Sequence, residues 1–94
     1  MSTLSQFVSR SPIKSIQRGT ITISNAAVTA TATISSVTTS KTQLNYLGTS
    51  TNNAGLIYSL VRIALTSSTV ITATRGNDTS GSDAIVSYEV IEYN

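Results

Sequence analysis

Val28-Thr29-Ala30-Thr31-Ala32-Thr33-Ile34 is the stretch that decides the fold. Its odd positions are threonine and its even positions are apolar. A helix would scatter these threonines around its circumference, whereas a strand sets them all on one face. The branched Cβ of threonine also favours a pleated backbone over a helical turn. The stretch reads as a strand with one buried face.

The same period extends in both directions. Ile16-Gln17-Arg18-Gly19-Thr20-Ile21-Thr22-Ile23 alternates over its second half, which turns Ile21 and Ile23 inward. Gly19 inside it marks a bulge or a close backbone approach. Ser24-Asn25-Ala26-Ala27 suits a tight connection, so these first two strands are expected to form a hairpin. A weaker strand covers residues 42–48, and the polar run 49–55 follows as a loop. Residues 57–65 read as a strand with Ile57, Val61, Ile63 and Leu65 inward and Tyr58, Leu60, Arg62 and Ala64 opposite. After a turn at Thr66-Ser67-Ser68, strands are expected over 69–75 and 84–93, separated by the turn-rich loop 76–83. Five or six strands at this spacing predict an all-β, antiparallel β-sandwich over residues 13–94. Residues 1–12, ending at Ser11-Pro12, are expected to be an extended N-terminal arm.

A chain of 94 residues is sized for one domain and buries only about 60–65% of its unfolded surface. It holds no cysteine and no histidine, so disulfides cannot supplement the core and a zinc site lacks its usual ligands. Association with other chains is the remaining common solution for a scaffold of this size. Charged residues make up 11% of the chain, against about 25% in ordinary domains, while serine and threonine make up roughly a third. The net charge is +2, and Arg10, Lys14, Arg18, Lys41, Arg62 and Arg75 are scattered. That spread argues against a nucleic-acid-binding face, which clusters its cations. No apolar run reaches the roughly 18 residues that span a bilayer, and Met1-Ser2-Thr3-Leu4 does not open a signal peptide.

Catalytic triads and Cys-His pairs cannot be assembled without histidine and cysteine. The acidic residues are Asp78, Asp83, Glu89 and Glu92. Glu89 and Glu92 lie three apart, on opposite faces of one strand, so they cannot share a site. Asp78 and Asp83 share a loop, which reads as a solvated turn more readily than as a calcium site. No cofactor and no metal is expected, and the chain is read as non-enzymatic. The face carrying Tyr58, Leu60 and Arg62 has the composition of an interface core, so self-association is expected there. Phe7 and Val8 are expected to dock the arm.

The terminal segments resemble a known family. Ile16-Gln17-Arg18-Gly19-Thr20-Ile21 is similar to the first strand of the H-type lectin fold. Residues 70–93, with Ile85-Val86-Ser87-Tyr88-Glu89-Val90-Ile91-Glu92-Tyr93 at their end, resemble its last hairpin. The resemblance implies a six-stranded antiparallel sandwich that assembles as a homotrimer. Ile13-Lys14-Ser15-Ile16-Gln17-Arg18-Gly19-Thr20 is also similar to the start of small bacteriophage virion proteins. That likeness implies a decoration, cement or tail-surface module in the virion, made in the host cytoplasm. Its implied partners are further copies and a major capsid or tail protein. The alternative is a carbohydrate-binding adhesin for host attachment, with Asn52, Asn53, Asn77 and Asp78 as its glycan loops. The lectins carry aromatic and histidine groups where this chain has Arg75-Gly76-Asn77-Asp78-Thr79, so the likeness favours fold and trimer over sugar binding.

Overall fold

The computed structural model describes residues 12–25, 27–51, 60–76 and 82–94. They form six strands: β1 (Ile13–Ile23), β2 (Thr29–Thr33), β3 (Thr42–Thr51), β4 (Val61–Ser67), β5 (Val70–Arg75) and β6 (Ala84–Tyr93). A 3-10 turn, Thr39–Lys41, precedes β3. The strands divide into two antiparallel sheets, ordered β1-β6-β3 and β2-β5-β4. The chain is all-β, and its sheets face each other across a shared core, as in a sandwich.

Alternation decides what enters that core. Ile21 and Ile23 from β1 meet Ala84, Val86, Tyr88 and Val90 from β6, and Ile71 and Ala73 from β5. Ile34 and Val37 plug one end, and Leu44, Val61, Ile63 and Leu65 pack around the rim. Each fully buried isoleucine or valine contributes roughly 1.5–3 kcal/mol. The threonines of β2 point outward, as the Thr-Ala repeat predicts, and Ala30 and Ala32 pack inward. β6 takes the expected bounds, whereas β1 and β3 run longer than their strongest alternation indicates.

The expected hairpin between the first two strands does not form. β1 pairs with β6, β2 pairs with β5, and the link after Ile23 crosses from one sheet to the other. Ladder length explains the choice. β1 has eleven residues, and β6 offers it a ten-residue partner, whereas β2 offers five. The chain crosses again between β2 and β3. There Ile34 N–H donates to the Thr69 carbonyl at 2.8 Å and Val37 N–H to the Ser68 carbonyl at 2.9 Å. Gln17 then grips Ser35 with both ends of its amide, at 2.9 and 3.1 Å.

Gly19 is a close approach rather than a bulge. A Cβ there would sit 2.6 Å from the Tyr88 hydroxyl oxygen and 2.9 Å from the ring carbon bearing it. The buried Tyr88 ring therefore lies across the glycine of the paired strand. The β1 register shifts between Ile13 and Ser15 instead, and β3 shifts between Tyr46 and Gly48. Gly48 has a φ of 131°, a conformation open to glycine and strained for other residues.

Gly19→Ala should cost about 1–3 kcal/mol in urea unfolding, because the Tyr88 ring must move in a packed core. Combined with Tyr88→Leu, the alanine should add clearly less than it does alone. Strict additivity would show that the two residues do not share that space.

Candidate functional site

The two long sides of the sandwich differ. On the β1/β2 side the Gln17–Ser35 grip latches the sheets together. On the β3/β4 side lies a groove of about 480 Å³, lined by Tyr46, Leu60, Val61, Arg62, Thr74, Arg75 and Gly76. Tyr46 belongs to β3 and stands opposite Tyr88 of β6, yet 48% of it is exposed. Its hydroxyl hydrogen-bonds Thr49 beyond the bulge. Leu60, at the entrance to β4, is 59% exposed.

Arg75 closes one end of this groove. It is 1% exposed, because it follows Ile71 and Ala73 on the inward row of β5. Its Nε donates to the Ala27 carbonyl at 2.9 Å, Nη1 to Ser82 at 3.1 Å and Nη2 to Ser24 at 3.0 Å. Its own backbone N–H donates to the Val28 carbonyl at 2.8 Å. One side chain thus ties the β1–β2 crossing to the segment entering β6. Asp83 adds a parallel tie by accepting the Asn25 N–H at 2.7 Å. The five donors of a guanidinium suit this task, since carbonyls from separate segments converge on one plane.

Glu92 performs the reverse task at the other end. It lies on the inward row of β6 and is 3% exposed. One carboxylate oxygen accepts the Thr38 N–H at 2.8 Å and lies 3.8 Å from Lys14 Nζ; the other accepts from the Ser15 hydroxyl at 3.4 Å. The Thr38 N–H holds the Glu92 carboxyl below its ordinary value of 4.5, against the opposing effect of burial and with further help from Lys14. Glu89 faces outward and is also lowered, first by the Asn45 amide and then by Arg18. Those bonds are 3.0 and 2.8 Å long. The two glutamates therefore do occupy opposite faces.

Among the residues expected to act, the structure describes Leu60 and Arg62, which share one wall of the groove. Phe7, Val8, Asn52, Asn53, Tyr58, Asn77 and Asp78 lie outside the described residues. No grouping of three or more metal-binding side chains occurs among the described residues. Arg62 is exposed and makes no ion pair among them. The groove can therefore seat an apolar group against the Tyr46 ring and an anionic group at Arg62. Arg75 and Glu92 were missed as structural ties, although each is a charged residue on the inward row of its strand. Comparison with protein-family models, curated proteins and solved structures found no match to this chain.

Two outcomes follow. Arg75→Met keeps the stem but removes the donors, and should cost about 1–3 kcal/mol, since three carbonyls lose their partner in partly solvated surroundings. Because Glu92 and Glu89 are held below 4.5, their stabilisation is full above that pH and is lost as pH falls through the lowered values. Urea midpoints recorded between pH 6 and pH 3 should fall with acid, and Glu92→Gln should flatten the slope. An unchanged slope in that variant would remove Glu92 from the account.

Proposed function

We propose that the chain is a non-enzymatic structural module of a bacteriophage particle, acting by association with copies of itself and with a capsid or tail protein. The observation that carries this reading is the mismatch between core and surface. The buried core is built from isoleucine, valine and alanine with one tyrosine. Meanwhile Ile16, Tyr46, Leu47, Leu60 and Ile85 are 41–59% exposed. A chain of 94 residues that leaves so much large apolar surface in water gains stability when another surface covers it. The three described carboxylates support the non-enzymatic part, since Asp83, Glu89 and Glu92 each serve an internal bond. The assignment to a virion, the H-type-lectin-like sandwich, the trimer and the docking arm rest on the likeness of residues 13–21 and 70–93 and on the arm sequence.

The groove favours a second reading as a carbohydrate-binding module. A half-exposed tyrosine ring beside the hydroxyl of Thr74 and the cation of Arg62 is a common way to receive a sugar. Glycan-array binding that disappears in Tyr46→Ala would favour it.

The structural reading predicts a trimer by light scattering, and a trimer again when residues 1–12 are removed. A monomer in both forms, at the concentrations of an assembling particle, would contradict it.

A further inference from the structure

The outer face of the β1-β6-β3 sheet has an unusual chemistry. Register places four rows across it: Ile16, Ile91 and Gln43; Arg18, Glu89 and Asn45; Thr20, Ser87 and Gly48; Thr22, Ile85 and Ser50. The polar groups of the rows that hold Gln43 and Glu89 are already joined to one another. Glu89 accepts from Arg18 at 2.8 Å and from Asn45 at 3.0 Å. Gln43 donates to Asn45 at 2.8 Å and accepts from Tyr93 at 3.1 Å. Isoleucines flank this chain of bonds on both sides, with Ile16 44% and Ile85 41% exposed.

Burying Glu89, Asn45 and Gln43 costs little, because their hydrogen bonds are made before any partner arrives. Within these four rows the one cation and the one anion, Arg18 and Glu89, cancel. The side chain of Arg18 remains 65% exposed, and only its Nε is engaged by a described residue. A second copy can therefore offer its own acceptors to the terminal nitrogens without adding a like charge at the centre.

The outer face of the β2-β5-β4 sheet differs. Its rows carry Thr29, Thr74 and Arg62, then Thr31, Thr72 and Ala64. Arg62 has no counter-ion among the described residues, so two such faces would bring uncompensated cations together. Size is adequate on the first sheet. Three strands and the eleven residues of β1 make a face of roughly 14 by 36 Å. Two of them bury roughly 1,000 Å², the lower bound for a specific interface.

We propose that the outer face of the β1-β6-β3 sheet is the surface through which copies of this chain associate, with the Arg18–Glu89–Asn45 cluster lying between Ile16 and Ile85. This rests on the self-association reading above and fixes its location, away from Leu60 and Arg62.

The test compares Ile16→Lys/Ile85→Lys with Leu60→Lys by sedimentation velocity, with circular dichroism confirming that each retains its β signal. The proposal expects an oligomeric parent chain, at least tenfold weaker association in the double variant and an unchanged mass for Leu60→Lys. An oligomer that survives the double variant, or one that Leu60→Lys alone dissociates, overturns the location and leaves self-association standing. A monomeric parent chain overturns both. Crosslinking gives a readout independent of stability. The chain has no cysteine, so Thr20→Cys and Thr31→Cys each present a single thiol, one on each outer face. A short bis-maleimide should join copies through position 20 and not through position 31; the reverse pattern overturns the location.

Discussion

β6 is hydrogen-bonded on both edges, to β1 and to β3, and its two faces are committed to different tasks. Ala84, Val86, Tyr88, Val90 and Glu92 form its inward row. Ile85, Ser87, Glu89, Ile91 and Tyr93 form its outward row. A strand has a side-chain period of two, so a register slip of one residue would exchange these rows and bury Glu89 in place of Val90. The register of β6 therefore fixes the core, the position of Tyr88 over Gly19 and the composition of the outer face together. The opposite sheet is arranged around β5 in the same manner, with Ile71, Ala73 and Arg75 inward.

Two charged side chains close the ends of this short sandwich. Arg75 gathers carbonyls where the chain crosses from β1 to β2, and Glu92 receives a backbone N–H where it crosses from β2 to β3. Such crossings interrupt the ladders and leave backbone groups without sheet partners. A guanidinium supplies donors to orphan carbonyls, and a carboxylate supplies an acceptor to an orphan N–H. Residue type is thus matched to the kind of backbone group each crossing leaves over. The same matching makes the Glu92 end sensitive to acid.

The Thr-Ala repeat of β2 and the alternation of β6 were legible in the sequence because their period is unambiguous and one face is buried. The pairing of β1 was not legible, since a short link such as Ser24-Asn25 serves a hairpin or a crossing equally well. The choice depends on the length of a partner sixty residues away. Gly19 was recognisable as an exception, although its neighbour Tyr88 was not. Arg75 and Glu92 were legible in principle, because a charge on an inward row must find partners. Their partners are backbone groups brought close by the fold, and backbone groups carry no sequence signature. Alternation puts Leu60 and Arg62 on one face of the expected strand, but the groove they share with Tyr46 arises from the β3/β4 side of the sandwich, which no local pattern encodes.

We propose that the chain is a small core whose stability is completed by other copies of itself. The most direct test is the thermal unfolding midpoint of the purified chain over a hundredfold range of concentration. Unfolding coupled to dissociation gives a midpoint that rises with concentration, and that rise is the predicted result. A midpoint independent of concentration, with a cooperative transition throughout, would show that the monomer is sufficient and would contradict the account.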